Sequence, residues 1–181
     1  MYYAIRNVLF ILLLLGCAGT AFAQSENGSG ERHHAVTGSL SEIKDKRRVL
    51  LLTGRSNTVD VRDAAKTALE AAHRMTANRR SRHHLSYFVI AQKLNKYIRK
   101  YKSMAAVEDT AEAEFIIVFN VLEMRRSLGS IYPYGEMFVI TNDPEANGPP
   151  RIVWQTEKNL VWAEEAAGQL IKALKATRGE K

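Results

Sequence analysis

Two guanidinium groups and two phenols fall within Arg125-Arg126-Ser127-Leu128-Gly129-Ser130-Ile131-Tyr132-Pro133-Tyr134. Arg and Tyr are enriched among the few residues that carry most of the energy of an interface, and recognition concentrates on loops held by a rigid scaffold. With Gly129 and Pro133 as breakers, the stretch reads as a hairpin loop of about nine residues. It would present Arg125, Arg126, Tyr132 and Tyr134, together with Ile131, as a binding surface. The competing arrangement folds Tyr132 and Tyr134 back over a sheet.

Positive charge is the second feature. The chain holds 26 Lys and Arg against 19 Asp and Glu, a formal net charge of +7. The cations cluster as Lys44, Lys46, Arg47 and Arg48; as Arg79, Arg80 and Arg82; and as Lys93, Lys96, Arg99, Lys100 and Lys102. Such a surface attracts anionic lipid and other polyanions through counterion release. Lys93, Lys96 and Lys100 are the candidate contacts on the third cluster. Tyr97 and Tyr101, interleaved with it, keep the apolar spacing of a helix and so read as core.

Other constellations point to no reaction. His33-His34 and His83-His84 are adjacent residues, whose side chains diverge, and His73 has no acidic or thiol partner at ligand spacing, so no metal is expected. Ser41-Glu42-Ile43-Lys44 matches the Ser-x-x-Lys of penicillin-recognising acylases, but the companion Ser-Asp-Asn and Lys-Thr-Gly do not occur. Gly54-Arg55-Ser56-Asn57-Thr58 could hold an anion between a strand and a helix, yet it lacks the second Gly and the Lys of a P-loop. The carboxylate pairs Glu108 with Asp109, Glu112 with Glu114, and Glu164 with Glu165 read as solvated faces and caps. No cofactor is expected, and the reading is of a non-enzymatic chain.

An export signal heads the chain. Arg6 precedes the apolar run Val8 to Leu15, and Ala21-Phe22-Ala23 is a small-x-small cleavage pattern before Gln24. Gly16, Gly19 and Thr20 interrupt the run well short of the roughly 20 apolar residues that a membrane span needs. Leu14-Leu15-Gly16-Cys17 also resembles a lipobox, which would make Cys17 a lipidation site; cleavage after Ala23 and a retained anchor are the alternatives. Cys17 is the single cysteine, which excludes an intramolecular disulfide. Export argues against a genomic nucleic acid partner.

The remainder must supply the scaffold. With 181 residues, 46% hydrophobic and 25% charged, the chain suits one globular domain. Residues 1–23 are read as signal peptide, 24–43 as a flexible tether rich in Ser, Gly and Asn, and 44–181 as the domain. Arg48 to Gly54 is a short continuous apolar run, as in a strand buried on both faces. Asp60 caps a helix with Val61, Ala64, Ala65, Ala68, Leu69 and Ala72 on one stripe, running to Met75. Leu85 to Tyr101 is a second helix, with Tyr87, Ile90, Ala91, Leu94, Tyr97, Ile98 and Tyr101 inward, unless Leu85 to Ile90 is a strand. Ala113 to Met124, Tyr134 to Thr141 and Arg151 to Thr156 form an antiparallel meander, and a last helix runs from about Leu160, closed by Gly179.

That order predicts an α/β two-layer sandwich, with a mixed, mostly antiparallel sheet and about three helices. Ala113-Glu114-Phe115-Ile116-Ile117-Val118-Phe119, followed by Arg151-Ile152-Val153-Trp154-Gln155, resembles the small α/β domains of exported bacterial envelope proteins, of which the TolB N-terminal domain is the nearest named example. The resemblance spans residues 48–176 and rests on element order. It implies a non-catalytic envelope module that docks onto another protein.

Overall fold

The continuous apolar run Arg48–Gly54 forms strand β1, and its parallel partner is the longest strand of the sheet, β3 (Phe115–Ser127), in register from Val49 opposite Phe115 to Gly54 opposite Asn120. Position in the middle of a sheet explains why β1 shows no polar alternation: Val49, Leu50 and Leu52 are all buried, on opposite faces. Strand β2 (Ala105–Ala106) pairs with β1 on its other side, also parallel. Beyond β3 the sheet turns antiparallel through β4 (Ser130–Thr141) and β5 (Ile152–Gln155), giving the order β2-β1-β3-β4-β5, while β6 (Val161–Trp162) pairs with β4 at Tyr134 and Gly135. The sheet is therefore mixed and the class α/β, as the element order predicts. This computed structural model describes residues 36–54, 84–142 and 150–181. The expected helix from Asp60 to Met75, the loop after Gly54, His33, His34, His73, His83 and Cys17 lie outside them.

Two helices are described, and both pack on one face. Helix α1 (His84–Tyr101) buries Ser86, Ile90, Leu94 and Tyr97 at steps of four, four and three, so the helical alternative prevails over a strand at Leu85 to Ile90. Tyr87 departs from expectation: it lies on the exposed side beside Phe88. Helix α2 (Ala163–Arg178) buries Ala163, Ala166, Ala167, Leu170 and Leu174, carries Glu164 and Glu165 in its first turn and Lys175 and Arg178 in its last, and ends on Gly179 at φ 69°. It starts after Val161, later than expected, because Val161 and Trp162 pair with the edge of β4 instead. Small alanines let α2 lie close against α1 and β4.

Both sheet faces are buried. The helix side gathers Phe115, Ile117, Phe119, Val121, Met137 and Val139, and the opposite side Leu50, Leu52, Ile116, Val118, Phe138 and Ile140. Each such side chain contributes about 1.5–3 kcal/mol relative to exposure. At the end of the second cluster Asn120 stands opposite Glu136, and its Nδ2 donates to Glu136 Oε1 at 2.9 Å, so this buried carboxylate has a hydrogen-bonded neighbour.

The domain takes in residues that composition assigns to the tether. Thr37 and Gly38 both donate to Ile152 O at 3.0 Å, a 3-10 turn spans Leu40–Ile43, Ile43 is buried, and Glu42 pairs with Arg151 at 2.6 Å. All of the described residues belong to one compact unit. No helix of the described residues is long and apolar enough to cross a membrane.

The C-terminal turn is tied down by polar contacts. Tyr97 Oη donates to Glu180 Oε2, and Tyr101 Oη donates to Lys181 O at 2.5 Å. Burial, and then the hydrogen bond to Glu180, push the Tyr97 phenol up to about 12. Because the folded value lies above the ordinary value of 10, this contribution is complete below pH 10 and is lost as the pH rises through 12. Titration followed by tyrosinate absorbance is expected to show a tyrosine ionising near pH 12 that Tyr97→Phe removes. Simultaneous ionisation of every tyrosine near the ordinary value in the folded protein would contradict this.

Candidate docking site

Residues 125–134 are not a nine-residue loop. β3 and β4 continue through them in register, from Glu123 opposite Tyr134 to Ser127 opposite Ser130, and only Leu128 and Gly129 make the turn. Both turn residues have positive φ, 49° and 80°, the requirement of a type I′ hairpin turn, whose twist matches that of paired strands. A two-residue turn lets the ladder run to the tip, and the β propensity of Ile131 and Tyr132 favours it.

The result is an arm. β1 leaves β3 at Asn120, β5 pairs with β4 only from Phe138 to Ile140, and β6 reaches no further than Tyr134. Every residue from Leu122 to Ile131 is exposed. At the base, the register shifts between Val121 and Glu123, a bulge at Leu122 that re-aims the strand.

Pairing sorts the side chains into two faces. Glu123 and Arg125 stand opposite Tyr134 and Tyr132; Met124 and Arg126 stand opposite Pro133 and Ile131. The first face is self-satisfied. Arg125 Nε donates to Glu123 Oε1 at 2.9 Å and Nη2 to Oε2 at 3.0 Å, its guanidinium lies 4.4 Å from the Tyr134 ring centroid, and Tyr132 meets Trp162 edge-on at 5.6 Å. The Arg125 hydrogen bonds hold the Glu123 carboxyl below its usual range. Tyr132 thus reaches back to the domain at Trp162, while Glu123 and Tyr134 brace Arg125.

The other face and the tip carry the apolar surface: Met124, Ile131, Leu122 at the bulge, and Leu128, whose side chain is fully exposed at 101%. Leu128 breaks two rules at once. A non-glycine residue with positive φ costs about 1–2 kcal/mol, and a wholly exposed leucine gains nothing from burial. Local strain and unburied apolar area coincide at this one residue. Leu128→Asn, which supplies the Asn-Gly pair this turn favours, is expected to raise stability by about 1 kcal/mol. Thermal unfolding of the variant checks this; an unchanged or lower midpoint would contradict it.

Sequence reasoning singles out Arg125, Arg126, Tyr132 and Tyr134 in this segment. Charged and phenolic residues draw attention by their chemistry, whereas Leu122, Met124 and Leu128 hold the exposed apolar surface. Ser-Leu-Gly-Ser between two strand-forming runs is the available signal for a two-residue turn, which puts its leucine at the apex.

The basic helix residues form a separate group. Lys93 pairs with Glu164 of α2 at 3.0 Å, and Lys100 lies 4.8 Å from the Tyr101 ring centroid with Nζ 3.5 Å from Lys181 O, so both brace the helix pair. Lys96 shares an outer groove with Tyr87, Phe88, Ala91, Gln92 and Arg99, where Phe88 is 66% exposed.

Residues weighed for catalysis have structural work. Ser41 Oγ donates to Ser39 Oγ at 2.9 Å inside a capping box, and Glu114 accepts from the backbone N–H groups of Arg48 and Arg47 at 2.7 and 2.8 Å, contacts that lower its pKa. Asp109 caps Ala111 N at 3.0 Å and Glu165 accepts from Gln169 at 3.3 Å. Among the described residues no three His, Cys, Asp or Glu converge as metal ligands. Comparisons with protein-family models, with curated proteins and with solved structures return no match for this chain.

Proposed function

We propose that the chain is an exported, non-enzymatic binding module of the bacterial cell envelope that docks onto another protein through the β3–β4 arm. The observation that carries this reading is Leu128, strained and wholly exposed at the end of an arm whose ladder is regular from Glu123 to Ser127. The Ala21-Phe22-Ala23 cleavage pattern and the resemblance of residues 48–176 to TolB N-terminal domains support the envelope address. Apolar anchors at the tip, ringed by Arg126 and Ser130, suit a partner with an apolar groove and an acidic rim.

A photo-cross-linking side chain at position 128, in cells that export the protein, is expected to give adducts with a discrete envelope protein. The same side chain at exposed Lys158 is the control. Equal labelling from both positions, or none from 128, overturns the reading.

A second reading is favoured by the exposed Phe88 beside Lys96 and Arg99: the outer face of α1 binds anionic lipid or another polyanion. Cations flanking an apolar ring suit a charged interface. Binding of this kind falls steeply with salt and is insensitive to Leu128.

A further inference from the structure

We infer that the open edge of β3 in the arm pairs antiparallel with the same edge of a second copy of this chain, centred on Met124. The inference rests on reading the arm as a docking element, but it concerns the edge rather than the tip.

The two edges of the arm differ. In a two-residue hairpin the pair flanking the turn, Ser127 and Ser130, exchanges both backbone hydrogen bonds, and hydrogen-bonded and non-hydrogen-bonded pairs alternate from there. Arg126–Ile131 and Met124–Pro133 are therefore non-hydrogen-bonded pairs. The N–H and C=O groups of Met124 and Arg126 point away from β4, and the side of Pro133 that lacks an N–H faces away from β3. Pro133 blunts the β4 edge as a pairing template, and β6 occupies that edge at Tyr134. On the β3 side, no described strand pairs beyond Asn120, no proline intervenes, and Leu122 and Met124 are exposed.

Charge fixes the register and the occupant. A two-fold antiparallel pair centred on Met124 sets Glu123 of each chain opposite Arg125 of the other, and Arg126 opposite Leu122. Met124, with outward backbone groups, meets its own copy as a hydrogen-bonded pair. Centring on Arg125 or Arg126 instead sets like charges directly opposite, which is destabilising. The strand is thus self-complementary in one register and repulsive in its neighbours. In the single chain Glu123 and Arg125 satisfy each other at 2.9 Å, so association exchanges one ion pair for an equivalent one and leaves no charge unpaired. Five paired residues a side make a small interface, and the dimer is expected to be at the weak end, micromolar or weaker.

Sedimentation of the purified protein across a concentration series tests this. The wild type is expected to shift toward dimer, and Glu123→Arg and Arg125→Glu are each expected to weaken self-association about tenfold or more. The first variant carries arginine at both positions and the second carries glutamate at both, so each repels its own copy. An equimolar mixture of the two restores opposite charges at every cross-chain contact between positions 123 and 125, and is expected to dimerise as the wild type does. The mixture uses the same two folded chains, so its recovery is independent of any local effect of the single changes. A wild type that stays monomeric, single variants that associate normally, or a mixture that does not recover would each overturn the inference. A monomeric chain whose residue 128 still cross-links to another protein overturns self-pairing alone; a dimer without such cross-links overturns the docking reading alone.

Discussion

Gly135→Ala is expected to destabilise the domain by about 3 kcal/mol or more, an overpacking effect at the upper end of the usual range. A Cβ on Gly135 would stand 1.9 Å from Asn120 O and 3.1 Å from Val121 Cα, both backbone atoms of the paired strand. Backbone cannot rotate aside as a side chain can. Relief requires β3 and β4 to separate at the point where Gly135 also pairs with Val161 of β6 and where the bulge launches the arm. The midpoint of thermal unfolding should fall by about 10 °C for a domain of this size. Gly168→Ala is the matched control: nothing lies within 4 Å of its Cβ, and it sits inside α2, so it should stabilise by about 0.5–1 kcal/mol. Equal effects from the two substitutions would refute the close approach of the strands.

Arg178→Met should cost about 3 kcal/mol, because a single guanidinium satisfies three backbone carbonyls from two distant segments. Its Nη1 donates to Ser103 O at 3.1 Å, and its Nη2 to Ile43 O at 2.9 Å and Lys46 O at 2.6 Å. The side chain therefore ties the last turn of α2 to the segment leading into β1 and to the connection between α1 and β2. Methionine keeps the apolar stem and removes every donor, so the Ser103 and Lys46 carbonyls lose the guanidinium while Ile43 O keeps the Lys46 N–H at 3.2 Å. Arg178→Lys, with a single ammonium that cannot span the fork, should fall between. Chemical denaturation measures both, and a loss below about 1 kcal/mol for Arg178→Met would mean that water replaces these bonds readily.

Periodicity carries most of the scaffold. The apolar density of Arg48 to Gly54 and of Phe115 to Val121 identifies strands buried on both faces, and the spacing of Ile90, Leu94 and Tyr97 identifies the inner face of α1. What pattern does not supply is pairing. The parallel union of β1 with β3 joins residues far apart in sequence, and the capture of Val161 and Trp162 by β4 depends on an edge that exists only once the sheet has formed. The arm is illegible for a related reason. Gly129 and Pro133 usually punctuate loops, but here Gly129 supplies the second positive φ of a tight turn and Pro133 occupies a position where no N–H is needed. The chemistry of Arg125, Tyr132 and Tyr134 is directed at one another, at Glu123 and at Trp162. Leu128 stands at the apex, and an isolated leucine carries no motif that would announce it.

The most direct test of docking through the arm is recovery of the protein from fractionated cells with its co-purifying proteins, at low and at high salt, for the wild type and for Leu128→Asp. An apolar anchor at the tip predicts a partner that survives high salt with the wild type and is lost with Leu128→Asp, while the unfolding midpoint of the variant is not lowered. Retention of the same partner by Leu128→Asp, or loss of every partner from the wild type at high salt, would contradict the account.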